Sequence, residues 1–225
     1  MLLILGIAGS LLMAWVLWEV AQNDLTKETF APDQVTPNGF NLPLTIPGTT
    51  LQLKEISAYE GPFLEDGSGQ EVVNIAALHV YNTGEREVRN ACITLQLEND
   101  DYVFYGEHIP PGATVVLLEM HTAAYQKGLI TNYSGWQETT EQEQLTGLHI
   151  TDKDNGTLIV TNTSNQTLRN VCLYYKSWLS PPDVYMGGIT YSVMIPLLEP
   201  GQTEMLCPDH YATGYSKVVS VVATP

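Results

Sequence analysis

LHVYNTGEREVRNAC (Leu78–Cys92) and LIVTNTSNQTLRNVC (Leu158–Cys172) stand 80 positions apart in one chain of 225 residues. Over Ala77–Leu95 and Thr157–Tyr175, seven of nineteen positions are identical: Leu78/Leu158, Val80/Val160, Asn82/Asn162, Thr83/Thr163, Arg89/Arg169, Asn90/Asn170 and Cys92/Cys172. The match resumes with nine extra residues in the second copy, where PPGATVVLLEMH (Pro110–His121) meets EPGQTEMLCPDH (Glu199–His210). One further residue of slip aligns Tyr125-Gln-Lys with Tyr215-Ser-Lys. Ordered blocks separated by small length changes indicate one module written twice.

The pattern inside each block is that of strands. Leu78 and Val80 alternate with His79 and Tyr81, then Asn82-Thr83-Gly84 supplies turn chemistry. Ala91, Ile93, Leu95 and Leu97 share one face of the next strand, and Val171, Leu173 and Tyr175 do so in the second copy, against Cys172, Tyr174 and Lys176. Pro111-Gly112 and Pro200-Gly201 mark turns into a later strand, and Tyr125–Thr131 and Tyr215–Thr224 are expected to close each module. With no helical period after the leader, the expected fold is all-β: two tandem β-sandwiches over 49–135 and 136–225.

The pattern VxNTGxxxVxN, alternating apolar residues and a PGxT turn resemble bacterial immunoglobulin-like modules of the CARDB and FxLYD type. The resemblance covers both repeats but neither the leader nor the linker. It implies immunoglobulin-like sandwiches serving as spacers, adhesive units or docking domains on a bacterial envelope. The second copy departs from it at Ser164, in place of Gly84, and in the insertion SWLSPPDVYMGG.

Residues 2–20, LLILGIAGSLLMAWVLWEV, carry no charge before Glu19. About 18 apolar residues at about 1.5 Å each nearly span a hydrocarbon core of about 30 Å. Trp15 and Trp18 sit where an aromatic belt would meet the headgroups. A cleaved signal peptide would want a basic start and a small-x-small site, and Glu19-Val20-Ala21 is a poor match. Residues 1–22 are therefore read as a transmembrane helix kept as an anchor, and 23–48, with four prolines, as a stalk. Gly6 and Gly9 are a weak small-residue signal for helix pairing.

Acids outnumber bases 25 to 9, giving a net charge of −16. Such a surface repels phosphate backbones, so nucleic acid is not an expected partner. Hydrophobic residues make up 44% of the chain, enough for packed cores. The acidic, lysine-poor, β-rich region suits the outside of a cell, which places the chain as a single-pass membrane protein with its C-terminal region extracytoplasmic.

No nucleophile elbow, phosphate loop or HExxH pattern occurs, so the reading is non-catalytic and no cofactor is expected. Cys172 and Cys207 are the candidate disulfide of an oxidising location. Alternation puts Cys172 on a polar face and Cys207 with Thr203 and Met205 on the inner one, so free thiols are expected instead. His121 and His210 each have one nearby acid, Glu119 or Asp209, too few for a metal site. ENDD (Glu98–Asp101) and DKDNG (Asp152–Gly156) read as solvated hairpin turns rather than calcium loops. Asn132, Asn155, Asn162 and Asn165 begin N-x-Ser/Thr sequons.

The candidate binding surface is the aromatic group around the insertion: Tyr174, Tyr175, Trp178, Tyr185 and Tyr191. Such rings stack on sugars or anchor a protein partner, or else pack beneath their own loop. The expected role is adhesion or scaffolding at the cell surface through a protein or glycan partner. The alternatives are an accessory subunit of an envelope or secretion complex and a secreted carbohydrate-binding module.

Overall fold

A computed structural model describes residues 42–225 apart from 99, 127–129, 141–144 and 225. The leader and most of the stalk lie outside the described residues. Among those described, no helix is long and apolar enough to cross a membrane, and the regular elements are strands. In chain order they are β1 (Leu44–Thr45), β2 (Leu51–Pro62), β3 (Glu71–Asn82), β4 (Val88–Gln96), β5 (Asp101–Ile109), β6 (Thr114–Leu118) and β7 (Asn132–Thr139) in repeat 1. Repeat 2 has β8 (Leu148–Lys153), β9 (Thr157–Asn162), β10 (Leu168–Leu179), β11 (Val184–Leu198), β12 (Thr203–Leu206) and β13 (Ser216–Thr224).

The repeated blocks take equivalent places. In repeat 1, β3 lies between β2 and β6 while β4 lies between β5 and β7; in repeat 2, β9 lies between β8 and β12 while β10 lies between β11 and β13. Register agrees to the residue: Tyr81 opposes Thr114, and Thr161 opposes Thr203. Leu51, Leu53, Leu78, Val80, Val115 and Leu117 from one sheet meet Ala91, Ile93, Leu95, Phe104 and Ile109 from the other in one core. A second core joins Leu158 and Val160 to Val171, Leu173, Tyr175 and Ile195. The arrangement is consistent with β-sandwiches.

One side chain explains why the chain repeats itself. Asn82 and Asn162 are fully buried. Asn82 Nδ2 donates to Arg86 O at 2.8 Å and Ile109 O at 3.1 Å. Asn162 Nδ2 donates to Gln166 O at 2.8 Å and Leu198 O at 2.9 Å. The main chain of each is engaged as well: Gly112 N donates to Asn82 O at 2.9 Å and Gly201 N to Asn162 O at 2.8 Å. Those two glycines hold φ of 68° and 74°, the left-handed region that a Pro-Gly turn requires. The Asn-Thr and Pro-Gly signatures are thus two halves of one knot. Asn162 cannot serve as a glycan acceptor in the fold, because its amide nitrogen is buried and doubly bonded.

Four sequence expectations are corrected. The segment Tyr125–Thr131 holds no strand among its described residues; the closing strand of repeat 1 is β7, whose Trp136 opposes Cys92 as Val222 opposes Cys172. Its inward positions include Gly135 and Gln137, so no apolar alternation advertises it. The inward residues of β12 are Glu204 and Leu206, opposite the core residues Val160 and Leu158. Met205, 60% exposed, and Cys207 therefore face outward. The end of the segment read as stalk already belongs to repeat 1: β1 pairs with β2, and Ile46 is fully buried in the core. β7 also runs through the 135/136 division and pairs with β4 as far as Thr139.

Replacing either asparagine by alanine leaves one buried carbonyl, Ile109 O or Leu198 O, and one part-buried carbonyl, Arg86 O or Gln166 O, without their donor, and an unsatisfied buried acceptor costs about 1–3 kcal/mol. Asn82→Ala and Asn162→Ala are each expected to lower unfolding stability by about 2–4 kcal/mol in urea titrations. Losses below about 0.5 kcal/mol, the range of ordinary surface substitutions, would contradict this role.

Candidate functional site

The insertion of repeat 2 does not form a free loop. It lengthens β10 and β11 into a hairpin, pairing Ser177 with Met186, Trp178 with Tyr185 and Leu179 with Val184 beyond a bulge. The far arm then adds to repeat 1: Tyr185 and Met186 pair in parallel with Val115 and Val116 of β6. One sheet of seven strands, β1-β2-β3-β6-β11-β10-β13, consequently runs through both repeats. Val184 enters an apolar cluster with Phe63, Ile75, Ala77, Val116 and Leu118. Gly188 permits the approach, since a Cβ there would lie 1.9 Å from Tyr105 O.

The seam is charged as well as apolar. Glu65, 7% exposed, accepts from Leu118 N and from Gly188 N, both at 2.7 Å, so one carboxylate clamps a strand from each repeat. Lys176 is fully buried and donates to Gly188 O and Ile189 O at 2.7 Å and to Thr190 Oγ1 at 3.0 Å. Glu107 accepts from Thr190 N at 3.2 Å. Burial drives the Lys176 ammonium down from 10.5 to about 7, against the opposing pull of Glu65, Glu107 and Glu87. Burial likewise raises Glu65, while its two amide donors and Lys176 hold it back. Nearby, His108 Nδ1 lies 2.6 Å from Glu87 Oε1. The sequence places Lys176 on the polar face of its strand. That face is covered by repeat 1, which no single-module pattern reveals.

The five candidate aromatics do not make one platform. Tyr174 stacks on His108 of repeat 1, with ring centroids 4.1 Å apart. Tyr175, 2% exposed, lies in the second core against Tyr191 and Tyr211. Trp178 packs edge-on against Tyr185 at 4.8 Å, and Lys217 Nζ sits 3.4 Å from the centre of the indole ring. Tyr191 stacks on His210 at 4.6 Å. Tyr175 and Tyr191 line an open groove of about 300 Å³ together with Ser192, Cys207, Asp209 and His210. Only the shared tyrosines connect this groove to the aromatic signal in the sequence.

Cys92 and Cys172 are half-buried free thiols and Cys207 is an exposed one. Cys172 opposes Met194, which is 57% exposed, on the outer face of one sheet. Cys207 follows β12 on the outer face of the other sheet. Side chains pointing away from a shared core in opposite directions do not bridge. His121 Nδ1 lies 3.2 Å from Glu119 Oε1, whereas His210 meets Tyr191 instead. Among the described residues, no three His, Cys, Asp or Glu side chains converge on a point that would hold a metal. No protein-family model matches this chain, and no curated protein matches it.

The seam has a calculable pH response. A lysine depressed to about 7 when folded binds fewer protons than the unfolded chain at any pH between that value and its ordinary one. Its contribution to stability therefore grows as pH rises through this window. The urea midpoint is expected to increase from pH 7 to about 9, below the range where tyrosines ionise. Lys176→Met is expected to remove most of that slope. An equal slope in both proteins would show that Lys176 is not the titrating group.

Proposed function

We propose that this chain displays two immunoglobulin-like sandwiches, of the CARDB or FxLYD type, outside a bacterial cell. Residues 2–20 hold it at the membrane as a single-pass anchor, and its role is non-catalytic adhesion or scaffolding. The observation that carries the reading is the seam. The nine residues by which the second copy exceeds the first are used to dock it on the first, through a continuous sheet and a buried Lys176–Glu65 cluster. A protein that invests its one insertion in fixing the angle between modules is built to hold a surface at a set distance and orientation. Its net charge of −16 keeps that surface off anionic headgroups and nucleic acid.

The carbohydrate-module alternative needs flat aromatic faces open to solvent. Tyr174 and Tyr191 give theirs to histidines, Tyr175 is buried, and Lys217 lies over Trp178. That arrangement favours display over sugar stacking.

Fractionation of cells expressing the full chain tests the proposal, combined with protease treatment of intact cells and mass spectrometry of the N-terminus. The expected outcome is a membrane-bound chain with its leader retained and both repeats accessible from outside. Recovery of the chain in the cytosolic fraction, protected from added protease, would overturn it.

A further inference from the structure

Repeat 1 carries, in the place of the groove, a buried acid that repeat 2 lacks. Glu119 follows β6 and is fully buried. Its carboxylate accepts from Val103 N at 3.2 Å, His121 N at 2.8 Å and Ala123 N at 2.7 Å. His121 Nδ1 lies 3.2 Å from Oε1. Donors from the open edge of β5 and from the next turn thus converge on one carboxylate, the arrangement by which main-chain amides hold anions.

The Pro-Gly block that aligns Pro111 with Pro200 and His121 with His210 puts Pro208 opposite Glu119. Proline brings no carboxylate, and the space beside it is the groove of about 300 Å³. The groove walls are the twins of the Glu119 donors. Tyr191 opposes Tyr175 as Tyr102 opposes Leu95, so Ser192 stands where Val103 stands. His210 aligns with His121, and Tyr211 N donates to Pro208 O as Thr122 N does to Glu119 O. Ala212 N already donates to Ser216 Oγ at 3.0 Å, but the Ser192 and His210 amides meet no side-chain acceptor among the described residues. The turn also differs: its left-handed residue is Thr122 in repeat 1 and, one position earlier, His210 in repeat 2.

We propose that this groove binds a carboxylate, carried by a small acid or by an acidic side chain of a protein partner, in the place that Glu119 fills in repeat 1. The Ser192 and His210 amides and the His210 ring hold it, and Tyr191 walls its aliphatic part. Asp209, exposed on the rim, and the net charge of −16 oppose it. Binding should therefore tighten as salt screens the long-range repulsion, the opposite of an attraction led by net charge. The inference rests on the comparison of repeat 2 with repeat 1 and stands apart from the display reading.

The test is amide NMR of the full chain in detergent micelles, titrated with acetate, N-acetylglutamate α-amide, a glutamate-containing tripeptide blocked at both ends and the neutral N-acetylglutamine α-amide. Saturable shifts are expected at the Ser192 and His210 amides, with N-acetylglutamine α-amide about tenfold weaker than N-acetylglutamate α-amide. Saturation by acetate identifies small acids as sufficient ligands, and saturation by the tripeptide alone identifies a protein side chain; either sustains the site. Pro208→Glu, which restores the residue of repeat 1, should abolish binding. Ser192→Pro, which removes one amide from an open strand edge, should weaken it about tenfold and gives a second check if the first variant does not fold. No saturable shift with any acid, equal affinity for the neutral amide, or undiminished binding in a folded variant would overturn the proposal.

Discussion

Asn82 and Asn162 each bury a carboxamide at the point where three segments of a module meet: the end of one strand, the turn after it, and the approach to the Pro-Gly turn, 27 residues on in repeat 1 and 36 in repeat 2. A buried amide is costly unless its donors and acceptors are all matched, so the backbone around it is held to one conformation. The main chain and the Nδ2 of one residue fix four other positions in each copy. The departure of repeat 2 from the motif follows the same logic. In repeat 1 Thr50 Oγ1 donates to Asn82 Oδ1 at 2.9 Å, and Gly84 leaves room for that hydroxyl, since a Cβ there would lie 3.0 Å from it. In repeat 2 Ser164 supplies its own hydroxyl to Asn162 Oδ1 at 2.7 Å. The bond is kept while its donor comes from elsewhere.

Given two copies of one module, the chain becomes a single object through asymmetry between them. The β6 edge of repeat 1 is apolar from Val115 to Leu118 and is closed by the insertion hairpin, whereas its twin β12 carries Glu204 and is paired on one side only. A buried lysine among carboxylates adds little net stability once desolvation is counted, but it penalises any other docking angle that would leave those charges unmatched. Apolar contacts between Val184 and the Phe63 cluster give the seam its adhesion; Lys176 and Glu65 give it a single geometry.

Legibility in the sequence followed the distance over which each signal acts. The repeat, the Leu78–Val80 and Ala91–Leu95 faces and the Pro-Gly turns are local and were all readable. β7 was hidden because Gly135 and Gln137 occupy inward positions where alternation would show apolar residues. The outward face of Met205 and Cys207 was misread because the inward position beside them holds Glu204. The seam was out of reach, since Lys176 and Tyr174 look like solvent-facing residues of one module until a second module is laid over them. The aromatic cluster marked the right stretch of chain but not its use: most of those rings are consumed in packing, and the open groove is set by Pro208, whose meaning appears only beside Glu119.

The claim that the modules are locked is tested most directly by the distance between spin labels, one on Cys207 and one on Val73→Cys, with Cys92 and Cys172 replaced by serine. Both labelled positions are exposed and belong to different repeats. A single narrow distance distribution is predicted, broadening when Gly188→Leu forces the hairpin away from Tyr105. A broad distribution in the parent protein, unchanged by that substitution, would mean that the two repeats move independently and that the seam does not hold.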